Sequence, residues 1–307
     1  MSEPALKLDR VTKTFRGVTA VDELSFAVRP GIIFGLLGPN GSGKTTTLRM
    51  SLGILLPDSG QVRLWGEPPG MVVRARAGYL PEDRGLYPKM RVLDHLEFLG
   101  ELHGVPRPLG RERARAWLAR YDAGAWERRR VEELSKGQQQ TVQLIGALVH
   151  DPDLVILDEP FTGLDPINTE HLQTTIRGLR DEGKAILLST HRMDQVEQLC
   201  DEICLISHGR ALLGGPLRQV KASYGRNVVE LVMEGPNDGR AADDFLAALG
   251  DLVATAERQA DGLRMRLRSG ADSQEVLRRA LAHGPVRRFE VTEPSLDEIF
   301  VEAVTRR

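Results

Sequence analysis

Cysteine is almost missing from this chain, with two residues in 307, Cys200 and Cys204. So few thiols exclude a disulfide framework and suit a reducing compartment. Their C-x3-C spacing, with His191 and His208 nearby, resembles half of a metal site. No second Cys pair exists, and both positions fall in an apolar strand-and-helix pattern, so small core residues are expected. No run approaches the roughly 20 apolar residues that a spanning helix needs. Met1–Lys7 has no basic segment leading into an apolar one, so it does not read as a signal peptide. Charge of one sign is not in excess either: 41 basic against 43 acidic side chains leave a net charge of −2. That balance provides no basic field for nucleic acid or an anionic membrane. No internal repeat or low-complexity tract stands out. The expectation is a soluble, cytoplasmic chain with no nucleic-acid partner, whose membrane role, if any, runs through another protein.

What is present is ordinary globular material and one distinctive loop. The length suits roughly two domains, and 41 % hydrophobic with 27 % charged residues is ample for a core. Gly38-Pro39-Asn40-Gly41-Ser42-Gly43-Lys44-Thr45 follows the pattern Gly, four residues, Gly, Lys, Ser or Thr. Glycines let successive backbone N–H groups turn toward an anion, and the helix that follows adds the positive end of its dipole. In such a loop Lys44 is placed for the β- and γ-phosphates and the Thr45 hydroxyl for Mg²⁺. Thr46, at the head of that helix, belongs to the same set. The context fits: Ile32–Leu37 is a short apolar run of the kind a parallel sheet buries on both faces, and Thr46–Leu52 reads as a helix.

Along the chain, Leu6–Val11 and Leu24–Val28 alternate as half-exposed strands with Phe15 between them, and Gln61–Trp65 reads as a further edge strand. Gly78–Glu82 is a short strand that ends in a loop. Val92, Leu96, Leu99 and Leu102 recur at helical spacing, and Arg111–Tyr121 carries a second amphipathic pattern, so about 91–150 reads as a helical insertion. Leu134-Ser135-Lys136-Gly137-Gln138 opens a helix to about Val149. Leu154–Glu159 is an apolar strand finishing in two carboxylates, Gly163–Pro166 is a turn, and Ala185–Ser189 is a strand that ends at Thr190-His191. Alternating strands and helices give a mostly parallel sheet, with ligands outside the strands' carboxyl ends. Lys44, Asp158, Glu159 and His191 all fall at or just beyond such ends. After Tyr224-Gly225 the order β-α-β-β-α-β, with Leu263, Met265 and Leu267 alternating against arginines, predicts a small ferredoxin-like domain and a final helix, Leu296–Val304.

Taken together, the phosphate loop, Leu134–Gln138, Leu157-Asp158-Glu159, Gly163-Leu164-Asp165 and His191 resemble, in kind and order, an ATP-binding cassette ATPase over residues 6–224. The implied fold is α/β, a P-loop NTPase with a mostly parallel sheet, an antiparallel β edge and a helical insertion. A C-terminal α+β accessory domain over 225–307 follows. By that resemblance ATP and Mg²⁺ are the ligands and ATP hydrolysis is the activity. Lys44, Glu159 and His191 are catalytic, Glu159 polarising the attacking water and His191 contacting the γ-phosphate. Thr45, Asp158 and Glu82 are the expected metal side, and Phe15 matches the aromatic residue that stacks on adenine. Ser135, Gly137 and Gln138 contact the ATP bound by a second subunit, and Asp165 helps align the two, so a homodimer or paired cassette is implied.

The sequence departs from the wider family at three positions. Glu82 stands where glutamine is usual, Thr141 where a basic residue often follows the signature, and Lys136 in place of the second glycine. Glu82 with Asp83–Met90, and the tail Glu293–Phe300, resemble the bacterial sodium- and drug-efflux type, whose ATPase subunits serve a separate membrane permease. The resemblance makes Gly85–Met90 the candidate docking surface and places the chain at the inner face of the membrane. A soluble cassette acting on ribosomes or nucleic acid is the alternative. One loop, one signature and no sustained heptads count against it. A third reading, a regulatory module whose C-terminal domain binds a small ligand, has no residue cluster to support it.

Overall fold

The computed structural model describes residues 3–83, 85–225, 227–234, 239–259, 262–268 and 270–305. The chain divides into two compact units, Met1–Leu217 and Arg218–Arg307. In the first unit a three-stranded antiparallel sheet joins β1 (Leu6–Phe15), β2 (Val18–Val28) and β4 (Ser59–Leu64) in the order β2-β1-β4. Phe15 is the last residue of β1 and not a linker residue, because Arg16-Gly17 closes a tight hairpin with both residues at positive φ.

The six-stranded sheet that follows comprises β3 (Ile33–Leu37), β5 (Ala77–Leu80), β6 (Leu154–Asp158), β7 (Ala185–Thr190), β8 (Glu202–Ser207) and β9 (Arg210–Pro216). Its order is β5-β6-β7-β3-β8-β9, parallel except for β9. Every residue of β3, β6 and β7 is buried, as the unbroken apolar runs require of strands covered on both faces. Helices α1 (Lys44–Ser51), the short α2 (Met71–Arg74), α6 (Pro166–Asp181) and α7 (Met193–Leu199) accompany the sheet. Register brings Leu37 opposite Thr190 and Asp158 opposite Ser189. The carboxyl ends of β3, β6 and β7 therefore lie side by side, and the residues just beyond them converge.

The insertion folds as α3 (Val92–Leu102), α4 (Arg107–Arg120) and α5 (Lys136–Leu148) around an apolar cluster of its own, Leu93, Leu96, Leu118, Val142 and Ile145 among its members. Its histidines carry a stability consequence. His95 is fully buried with neither ring nitrogen bonded, and burial pulls its pKa down to about 4. His150 stacks on His103 at 3.7 Å and is also lowered to about 4, through burial first and then the neighbouring His103. Both imidazoles stay neutral in the folded chain but take up a proton below about pH 6.5 once unfolded. Their stability contribution is therefore complete above pH 6.5 and is lost as the pH falls toward 4, on the order of 3 kcal/mol for each. Urea midpoints measured at pH 7.5, 6 and 5 should fall in that order, and the double variant His95→Gln/His150→Gln should show a flatter profile.

In the second unit, after α8 (Leu217–Ser223), β10 (Val228–Met233), β11 (Val253–Gln259), β12 (Gly262–Leu267) and β13 (Val286–Thr292) form an antiparallel sheet ordered β11-β12-β10-β13. With α9 (Gly239–Leu249) and α10 (Ser273–His283) between the strands, this is the ferredoxin-like arrangement. The period-2 pattern of β12 divides its faces. Leu263, Met265 and Leu267 enter the core, while Arg264 and Arg266 pair with Glu298 and Glu302 of α11 (Leu296–Thr305).

Candidate active site

The loop 38–43 runs from β3 into α1 and is packed tightly on both sides. A Cβ on Gly38 would lie 2.3 Å from the Ile206 carbonyl, and one on Gly43, at φ +105°, 2.3 Å from the Ala20 carbonyl. Only glycine fits at either place. Ser42 N–H donates to the Pro39 carbonyl at 3.2 Å, Gly209 N–H donates to the Ser42 carbonyl at 3.0 Å, and the buried Ser42 hydroxyl has no partner. Pro39, Asn40 and Gly41 form the exposed tip. No acidic residue occupies the first turn of α1, so its positive end stays open to an anion. Thr46 is half-buried beside it, whereas the Thr47 hydroxyl is spent on the Gly43 carbonyl at 2.9 Å.

Lys44 is 6 % exposed, and its Nζ donates to the Gly38 and Pro39 carbonyls at 2.8 and 3.2 Å. The same ammonium lies 3.3 Å from Glu159 Oε1, without hydrogen-bond alignment, and Glu159 Oε2 lies 3.0 Å from His191 Nδ1. Glu159 is buried, and its φ of +49° puts a non-glycine residue in the left-handed region. A hydrogen bond from its N–H to the Ser189 carbonyl, 3.0 Å, holds it there. Strain of that kind, of order 1–3 kcal/mol, persists where surrounding structure over-determines it, as at reactive sites.

Asp158 is completely buried, and its Oδ1 accepts from the Ser189 hydroxyl. The nearby Thr45 hydroxyl also acts to hold the pKa of this carboxylate down. Its second oxygen, Oδ2, has no partner. Burial raises the Asp158 pKa and the adjacent Glu159 charge adds to this, against the two hydroxyls and Lys44. An orphaned carboxylate oxygen beside a threonine hydroxyl matches the oxygen-only preference of a hard divalent cation. Mg²⁺ fits this pair.

Ser135, Gly137 and Gln138 lie at the head of α5. Ser135 is its N-cap, accepting from Gln138 N–H at 3.3 Å while the Gln138 side chain accepts from Ser135 N–H at 3.0 Å. Asp165 caps α6 by accepting from Asn168 N–H at 2.9 Å and from Asn168 Nδ2 at 2.7 Å, and Asn168 Nδ2 would be 3.8 Å from a Cβ on Gly137. The heads of α5 and α6 are therefore adjacent and solvent-facing. Among the described residues no hydrogen bond or ion pair joins this edge to the Lys44–Glu159 cluster. Phe15 stands 44 % exposed at the end of β1, with Lys13 Nζ 5.6 Å from its ring centre. Glu82 is exposed in the loop after β5 and makes no hydrogen bond or ion pair to Thr45 or Asp158 among the described residues. Two residues escape a reading by motif. Ser189 anchors both Asp158 and Glu159, and Gln143 holds the loop around Glu82. A hydroxyl ending a strand is the only sequence signal for the first, and a glutamine on the apolar face of α5 the only one for the second.

Residues 21–162 match the family described as ABC transporter, and residues 215–304 match ATP-binding protein DrrA1-3-like, C-terminal domain. The chain is 42 % identical over 299 residues to the uncharacterized ABC transporter ATP-binding protein YhaQ of Bacillus subtilis (strain 168), covering 97 % of this chain and 98 % of that one. It is 41 % identical over 293 residues to the Nod factor export ATP-binding protein I of Paraburkholderia xenovorans (strain LB400), covering 91 % and 95 %. Among solved structures, one described as the ATP binding subunit of an ABC transporter superposes with a TM-score of 0.68 at 27 % identity, over 72 % of this chain and 93 % of that one. The chain belongs to the ATP-binding subunits of ABC transporters, the ATP-hydrolysing cassettes.

Proposed function

We propose that this chain powers export. Two copies close around two ATP molecules beneath a separate membrane permease, on the inner face of the cell membrane. The observation that carries this reading is the division of the expected site residues into two sets on one chain. One set is the buried Lys44–Asp158–Glu159 cluster with the exposed His191 at its margin. The other is the exposed edge at the heads of α5 and α6. A half-site that faces outward is completed by another copy, so hydrolysis depends on closure.

Within the closed pair, backbone N–H groups of Gly38 and of Asn40–Thr46, with Pro39 shaping the turn between them, cradle the phosphates of ATP and Phe15 stacks on the adenine. Lys44 turns from the Gly38 and Pro39 carbonyls to the β- and γ-phosphates. Thr45 and Asp158, with Glu82 brought in by its loop, hold Mg²⁺, which when bound supplies positive charge at the phosphate oxygens. Glu159 orients the attacking water, and His191, positioned through Glu159 Oε2, contacts the γ-phosphate. Ser135, Gly137 and Gln138 of the second copy cover that phosphate from the other side, and Asp165 aligns the two edges. Phosphoryl transfer asks mainly for such positioning and charge neutralisation.

No described helix is long and apolar enough to cross a membrane, so the permease must be bound at a surface. Leu52, Tyr79, Leu86, His95 and Leu99 line a cavity of about 510 Å³. Ile54, Met71 and Leu102 in its wall are 58 %, 82 % and 64 % exposed. Tyr87, packed edge-on against His95, extends this apolar surface into Gly85–Met90. Export as the direction is supported by the name of the Nod factor export relative. The test is gentle detergent extraction with tagged protein. One polytopic membrane protein should co-purify in stoichiometric amount and be lost with Met71→Glu, whereas recovery of ribosomes would overturn the reading.

A further inference from the structure

We infer that Gln143 is a positioning residue that clamps the Glu82 loop to helix α5. The inference rests on the proposed roles of Glu82 and of the α5 edge, and it goes beyond them in naming what ties the two together. Gln143 lies on the inward side of α5, 6 % exposed. Its Nε2 donates to the Pro81 carbonyl at 3.0 Å and to the Asp83 carbonyl at 3.2 Å. The two accepting carbonyls flank Glu82, so the backbone of residue 82 is held from both sides while its side chain remains exposed.

This use of a carboxamide is selective. Both Nε2 hydrogens go to a single loop, and the other end of the group, Oε1, is buried without a partner. Gln143 and His95 line the same cavity, and both ring nitrogens of His95 are unpartnered as well. A glutamine kept only for packing would be replaceable by an apolar residue at no cost to the loop. One kept for its donor would not. At the N-terminal end of the same helix, Ser135, eight residues or about 12 Å from Gln143, forms the capping box with Gln138. Through Gln143, the loop carrying Glu82 and the edge meeting the second nucleotide move as one body. A displacement of the loop is then passed along α5 to Ser135.

The two carbonyls belong to a partly exposed loop where water replaces a lost donor, so removing the clamp loosens the loop and leaves the core folded. Hydrogen exchange on the full-length protein tests this directly. In Gln143→Met, which keeps the length and loses the donor, amides of the peptide spanning 80–90 should exchange about tenfold faster, with the β6 and β7 peptides unchanged. Gln143→Lys, which restores an N–H donor, should recover most of that protection. Steady-state hydrolysis by Gln143→Met should show kcat lowered about tenfold with KM for ATP within about twofold, the signature of misplacement in the closed state. Unchanged exchange in 80–90 for Gln143→Met, or equal exchange in the Met and Lys variants, would overturn the inference. Should the Met variant not fold, Gln143→Leu takes its place in the comparison with Lys. Glu82→Ala separates the two layers. If it leaves hydrolysis untouched, the metal role of Glu82 fails, while the exchange data still decide the clamp.

Discussion

Glu159→Gln is expected to cut ATP turnover by about three orders of magnitude while leaving ATP binding intact, the size of effect seen when a general base is lost. Glutamine preserves the shape of the side chain and its left-handed backbone, which the Ser189 carbonyl holds independently of the side chain. What it removes is the negative charge. His191 Nδ1 keeps an oxygen acceptor, but the water that the carboxylate would polarise loses its proton acceptor. The neighbouring Asp158, proposed above to hold the metal, is helped. The Glu159 charge is one of the causes raising the Asp158 pKa, so its removal makes the ionised form of Asp158, the form the proposed metal role needs, easier to keep. Nucleotide should therefore bind at least as well, and an ATP-bound dimer should accumulate, visible by size-exclusion chromatography with light scattering. Undiminished turnover would remove Glu159 from the base role, and a variant that stays monomeric with ATP would remove closure.

Lys44→Met should have a comparably large effect at the binding step and a second effect on stability. Lys44 is the cation of the phosphate loop, and charge-assisted hydrogen bonds of the kind it would make to phosphate are worth about 1.5–3 kcal/mol each. With two phosphates engaged, affinity for ATP should fall by at least about 10²-fold. In the free protein the same ammonium lies against Glu159 Oε1, both side chains being 7 % exposed. Removing one partner of a buried pair leaves the other charge uncompensated and costs about 3–5 kcal/mol. Lys44→Met alone should therefore lower the midpoint of unfolding, while Lys44→Met/Glu159→Gln, which removes both charges, should recover much of the loss. That non-additivity, read from denaturation of the wild type, the two single variants and the double, measures the pair. Additive effects would show that Lys44 and Glu159 are not coupled, whatever their separation.

Much of this architecture is written in local patterns. The runs Ile33–Leu37, Leu154–Asp158 and Ala185–Thr190 are apolar without interruption, and a strand buried on both faces has no other composition open to it. Ser135 and Gln138 three residues apart are a capping box in sequence and in space. The alternation in β12 correctly separates a core face from a charged face. Short elements were less legible: α2, α7 and α8 span four to seven residues and carry little periodicity. Phe15 joined a strand because the hairpin turn, and not a break in alternation, marks where β1 ends.

The phosphate loop, the paired carboxylates and the family of the chain follow from residues close together in sequence, since each motif's chemistry is set by neighbours a few positions apart. Which oxygen of Asp158 is left without a partner, and that Lys44, Glu159 and His191 form one chain of contacts, depends on strands 30 to 150 positions apart lying in a common register. Ser189 and Gln143 became visible only there, because each acts on residues far away in sequence through one hydroxyl or one carboxamide. Spacing along a chain reports a helix face or a strand end. It carries no record of which distant backbone a buried polar atom will meet, and packing decides that.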